Sequence, residues 1–198
     1  MAHIDYYLFT LSPFTYLAGD GLEEVAKKHG ATVTYKPFGL LKVFEETGTL
    51  PPGQRHPSRQ AHRLQELARI SKMTGLPLNL RPAHWPTNPV PSMSAIIAAQ
   101  EAGGGDLGGL VRGILRACWA EEKDIADDAV VMAALADAGF DPALASAGLL
   151  KGSETIERNT NDALENGVFG APTYLVGDQV FWGQDRLNYL DAHLADIG

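Results

Sequence analysis

The sequence is poor in cysteine, in positive charge and in long apolar runs. It has one cysteine, Cys118, among 198 residues. An intramolecular disulfide is therefore impossible, and C-x-x-C redox chemistry and cysteine-rich zinc sites are excluded. The six histidines show neither H-E-x-x-H nor any other metal-ligand spacing, so no metal is expected. Lysine and arginine number 16 against 24 acidic residues, giving a net charge of -8. Binding a phosphate backbone needs a basic face, so no nucleic-acid partner is expected. No apolar run reaches the roughly 18 residues of a membrane span, so no membrane partner is expected. The opening MAHIDYY has no basic stretch followed by a long apolar one. No secretory signal is read there, and a cytoplasmic setting is expected.

What is present is ordinary globular material, 45% hydrophobic and 20% charged, able to bury a core without disulfides or metals. Residues 3 to 9, HIDYYLF, crowd Tyr, Leu and Phe together as in a strand covered on both faces. A helix should begin at Ser12 or Pro13, since serine is a good N-cap and proline suits the first helical position. It should run to His29 and stop at Gly30, with a bend where Gly19 and Gly21 weaken it. TVTYKPF, 32 to 38, reads as a second strand, parallel to the first because a helix joins them.

From about 39 to 155 no convincing strand is found. Residues 58 to 74 form an amphipathic helix with Leu64, Leu67, Ala68 and Ile70 on one side. Pro77 to Pro91 holds five prolines and must be a loop. Helices are expected at 92–102, 107–121, 128–138 and 142–150, then at 154–165. PTYLVG and QVFW are two short strands turned by Gly177-Asp178, and a terminal helix starts near Gln184.

The order is β-α-β, a helical stretch, then α-β-β-α. The expected fold is α/β and thioredoxin-like, with a large all-helical insertion after the second strand. Residues 1–38 with 154–198 would form the thioredoxin-like domain, and 39–153 the helical insertion.

The stretch Ser12-Pro13-Phe14-Thr15 stands where a thiol-redox protein of this order carries C-x-x-C. Ser12 reads in two ways. It caps the helix, or it uses the same free N–H groups and partial positive charge to donate a hydrogen bond to a thiolate brought by a ligand. As a nucleophile in its own right it lacks a nearby base. In thioredoxin-like proteins the residue before the third strand's proline faces the active site, and that bond is cis. Ala171-Pro172 fits this place, where the Ala171 backbone would pair with an extended peptide. Gln184 and Asp185 open the last helix, either as caps or as a grip on an amino-acid head group. Arg55, Arg59 and Arg63 at i, i+4, i+8, with His56 and His62 nearby, could hold a carboxylate, but a solvated helix face is the expectation. Cys118, between Ala117 and Trp119, reads as buried and structural.

The motifs SPFTYLA (12–18), GLLKVFEETG (39–48), WPTN (85–88), GVFGAPTY (167–174) and FWGQDRL (181–187) come in one order along nearly the whole chain. In them the sequence resembles the 2-hydroxychromene-2-carboxylate isomerase family, akin to kappa-class glutathione transferases and DsbA-like oxidoreductases. The resemblance implies a glutathione-dependent cis–trans isomerase of an unsaturated aromatic carboxylate, functioning in aromatic catabolism as a homodimer. It places the glutathione sulfur at Ser12 and its cysteinyl part at Ala171 and Pro172. Its γ-glutamyl end would lie at Trp182, Gly183, Gln184 and Asp185. Lys42, Trp85 and Asn88 would face the organic substrate. The chain departs from the family at Phe14, where a tyrosine is frequent, and at Thr49-Leu50-Pro51-Pro52, where an asparagine commonly precedes the prolines. Both departures fall near the organic substrate. A kappa-like glutathione transferase and a redox-inactive thioredoxin-like binding or chaperone module are the alternatives.

Overall fold

A computed structural model describes residues 1–198. Its four-stranded sheet has the order β2-β1-β3-β4, built from β1 (His3–Leu8), β2 (Thr32–Pro37), β3 (Thr173–Val176) and β4 (Gln179–Trp182). β1 and β2 are parallel, with Tyr6 opposite Tyr35. β3 runs antiparallel to β1, with Tyr6 opposite Tyr174. β3 and β4 form a hairpin whose turn uses Gly177 at φ 60°, a left-handed conformation that glycine adopts without cost.

The two-residue period of the strands sorts their side chains onto two faces. Tyr6, Tyr35 and Tyr174 share one face, where the Tyr35 hydroxyl donates to Glu23 of α2 (Gly21–His29) at 2.7 Å. Tyr7 and Lys36 share the other, where both reach Asp162 of α9 (Leu149–Glu165). The edge of β2 is closed by a side chain. The Gln100 amide of α5 (Val90–Ala102) accepts from Tyr35 N at 2.8 Å and donates to Tyr35 O at 3.0 Å. The outward backbone groups of Tyr35 are thereby occupied at an edge that would otherwise invite a further strand.

The expected helix over 13–29 is two helices, α1 (Pro13–Leu17) and α2, parted where Gly19 takes φ 62°. Residues 40–46 form a helix, α3 (Leu40–Glu46), that the sequence reading did not foresee. α4 (Pro57–Thr74), α6 (Leu107–Trp119) and α7 (Asp128–Asp137) lie close to their expected bounds, and the expected helix at 142–150 shrinks to α8 (Leu144–Ala147). The largest difference is α9, one helix over 149–165 where a break near 151–153 was expected. Gly152 causes no break because its bare backbone is needed for packing: a Cβ there would stand 2.4 Å from the Ser94 side chain of α5. The terminal helix α10 (Leu187–Ile197) is preceded by a 3-10 turn at Gln184–Arg186. One apolar core runs from the sheet through the helices, with Tyr7, Tyr174, Phe38, Leu67 and Trp119 sealed inside it.

Candidate active site

Ser12 caps α1 and is only 6% exposed. Its Oγ accepts from Thr15 N at 3.2 Å and donates to the Ala171 carbonyl at 3.1 Å. The Ala171–Pro172 bond is cis, as expected from the sequence. Three donors or acceptors around this point have no partner in the protein: the backbone N–H groups of Phe14 and Ala171 and the buried Oγ1 of Thr15. The first-turn N–H of a helix and the free N–H before a cis proline are open to a ligand's acceptors.

Pro172 carries the neighbourhood onward. Its carbonyl accepts from Gly183 N at 2.9 Å, with Gly183 at φ 117°, a conformation that favours glycine. Trp182 is 49% exposed and lies over Gly170, where a Cβ would meet the indole at 2.1 Å. Its ring centroid is 4.9 Å from that of Phe169. The turn at Gln184–Arg186 packs against α1. Asp185 is exposed there and paired with Arg186. Ser12, Ala171, Pro172, Trp182, Gly183, Gln184 and Asp185 thus form one continuous patch along the end of the sheet.

The helical part meets α1 through Trp85, whose Nε1 donates to the Leu11 carbonyl at 3.0 Å. The Trp85–Pro86 bond is also cis, which the sequence reading did not foresee. Trp85 packs 5.7 Å from the buried Trp119, and the guanidinium of Arg63 lies over both Trp85 and Phe14. Asn88 is exposed, and its Oδ1 accepts from Val90 N at the start of α5. Lys42 is exposed on α3 and its Nζ reaches Asn161 Oδ1 of α9 at 3.4 Å. Asn161 lines a depression of about 620 Å³ that includes Lys36 and Asp162 and is lined by no hydrophobic residue. Trp85 therefore meets the residue before Ser12, while the exposed Lys42 reaches Asn161 and the exposed Asn88 bonds Val90 N. Arg63 is the residue whose place the sequence reading missed. Its spacing with Arg55 and Arg59 was visible, but spacing does not say which arginine turns inward.

The chain matches the family model of the DSBA-like thioredoxin domain over residues 3–195. It is 29% identical to 2-hydroxychromene-2-carboxylate isomerase of Pseudomonas putida, covering 98% of this chain and 95% of that one. Glutathione S-transferase kappa 1 of Caenorhabditis elegans is 24% identical, with 96% and 89% covered. The solved structure of a 2-hydroxychromene-2-carboxylate isomerase superposes with a TM-score of 0.79 at 25% identity, over 98% of this chain and 95% of the other. Fold, motif order and family match agree: the chain belongs to the DSBA-like thioredoxin family and, within it, is similar to the 2-hydroxychromene-2-carboxylate isomerases.

Proposed function

We propose that the protein is a glutathione-dependent isomerase that interconverts cis and trans forms of 2-hydroxychromene-2-carboxylate or a similar unsaturated aromatic carboxylate. The observation that carries this reading is the Ser12 hydroxyl held between the first turn of α1 and the Ala171 carbonyl, beside unpaired N–H groups, with no cysteine at the site. The isomerase and kappa-transferase relatives support it.

The residues present fit glutathione. The Ala171 N–H and C=O suit the backbone of an extended cysteinyl peptide, a short form of strand addition. Trp182, Gly183, Gln184 and Asp185 suit its γ-glutamyl end, with the Asp185 carboxylate accepting from an ammonium. When bound, glutathione supplies a thiolate that adds reversibly to a conjugated double bond, so rotation occurs with no net redox change.

The rest is the protein's work. Ser12 turns its hydroxyl proton from the Ala171 carbonyl to the sulfur, a rotation any serine rotor can make. The Phe14 N–H, unpaired in the first turn of α1, adds a donor beside it. α1 has only five residues, so these hydrogen bonds rather than a long helix dipole hold the anion. Residues 39–153 act as a cover, with Trp85 closing the site against water and fixing the acceptor's plane. Lys42 and Asn88 are given no step. A cytoplasmic homodimer is the expected setting.

The test is isothermal titration of the wild type and Ser12→Ala with reduced glutathione, followed by the thiolate's ultraviolet absorption. Binding by both, with the absorption lost in the variant, is the expected result. Absence of binding at millimolar glutathione would overturn the reading. Isomerisation assays would then separate an isomerase, which returns its glutathione, from a kappa-like transferase, which consumes it.

A further inference from the structure

The patch around Ser12 and Ala171 accounts for a thiol and its peptide. Across α1, on the side of the helical cover, one half-buried arginine has neither a carboxylate nor a hydrogen-bond acceptor. Arg63 of α4 is half-buried, with its guanidinium carbon 6.0 Å from the Phe14 ring centroid and 5.7 Å from that of Trp85. No carboxylate lies within ion-pair distance of it, whereas Arg69, Arg112, Arg116 and Arg186 each have one. It donates to no acceptor in the protein.

Its neighbours make the lack sharper. Arg55 also has no carboxylate; its Nε donates to the Leu50 carbonyl at 2.7 Å and its guanidinium lies over Phe44. Burial, and then the charge of Arg55, push the Arg63 guanidinium below its ordinary pKa. Arg59 and His62 of the same helix are exposed and suit a solvated face. Arg63 does not. A half-buried cation beside a like charge, without a counter-ion, costs the fold stability and is kept where a ligand supplies the anion.

The geometry also says which anion fits. The two aromatic rings occupy positions over the guanidinium, where cation–π attraction holds it. None of its N–H donors has an acceptor in the protein, and a carboxylate matches two of them with parallel hydrogen bonds. Trp85 is tied to the carbonyl of Leu11, the residue before Ser12, and Phe14 lies two residues after Ser12. The guanidinium therefore lies against side chains whose anchors flank the Ser12 turn.

We propose that Arg63, set between Phe14 and Trp85, anchors the carboxylate of the organic substrate and makes the site select anionic over neutral conjugated compounds. This rests on the function proposed above.

The test compares wild type, Arg63→Met and Arg63→Lys by isothermal titration with trans-cinnamate, its neutral isostere trans-cinnamamide, and reduced glutathione. Methionine keeps an unbranched apolar stem between the two rings, and melting temperatures check that each variant is folded. The wild type is expected to bind the acid about tenfold more tightly than the amide, as for a charge-assisted pair. Arg63→Met should erase that preference, Arg63→Lys should keep part of it, and glutathione should bind wild type and Arg63→Met alike. A preference that survives in Arg63→Met, or is absent from the wild type, overturns the proposal. So does a loss of glutathione affinity in Arg63→Met with the preference intact, which would assign the arginine to a glutathione carboxylate. If the wild type binds no glutathione but shows an Arg63-dependent preference, the cofactor reading falls and the anchor stands.

Discussion

At the scale of single residues, the chain's one thiol and the Ser12 hydroxyl are both buried, but they are partnered differently. Cys118 lies within α6, 1% exposed, and burial, helped by Asp124 and Glu122, pushes its thiol up to about 12. A thiol in that state is almost wholly protonated at neutral pH and is sheltered from reagents. Native protein should therefore resist alkylation by iodoacetamide, and unfolded protein should take up one equivalent at Cys118. Rapid labelling of the folded chain would refute this. Ser12 instead bonds Thr15 N and the Ala171 carbonyl. Removing its hydroxyl in Ser12→Ala frees Thr15 N and the Ala171 carbonyl, a loss of about 0.5–2 kcal/mol for a helix cap, to be read from denaturant unfolding. The serine's two readings from the sequence, as cap and as hydrogen-bond donor to a ligand, describe one geometry, so the capping bond alone does not choose between them.

At the scale of elements, α9 shows where local chemistry stops being informative. Gly148 and Gly152 let α5 and α9 approach: a Cβ at Gly148 would meet Ala98 at 2.7 Å, and one at Gly152 would meet Ser94. Gly152→Ala gains about 1 kcal/mol of helix propensity but forces a methyl against the Ser94 Cβ and backbone, where overpacking costs about 1–3 kcal/mol. The clash is with atoms that cannot swing away, so it wins, and the melting temperature should fall. A rise would mean that the two helices separate easily. Elements set by local chemistry were legible: the first strand, the proline-started helix, the Gly177-Asp178 hairpin and the proline-rich loop. α3 was not, because its helix is framed by Gly39 and by contacts with α9 rather than by a strong cap. The end-of-sheet patch was legible because it lies in motifs next to strand ends. The inward turn of Arg63 was not, because it depends on how α4 crosses α1.

At the scale of the whole molecule, one ionic knot joins the sheet to its helical layer. Lys36 of β2 pairs with Asp5 of β1 at 2.9 Å and with Asp162 of α9, and the Tyr7 hydroxyl also donates to Asp162 at 2.7 Å. Burial works to raise the Asp162 pKa, but the hydrogen bonds from Lys36 and Tyr7 prevail and hold it below its ordinary 3.8. A depressed carboxyl contributes stability that is fully present above its unfolded pKa and is lost as pH falls through the folded one. Melting temperatures taken between about pH 7 and pH 3 should therefore fall less steeply for Asp162→Asn than for wild type. Equal slopes would remove Asp162 from the acid response. The same knot bears on motion. The chain passes from sheet to cover through Phe38 and Gly39, both tied back by backbone bonds, to Leu8 O and Thr160 Oγ1. It returns through α9, which continues unbroken past residue 153. Sheet and helical layer are thus tied beside both crossings, so parting them requires breaking the Lys36–Asp162 pair and the Gly39–Thr160 bond together.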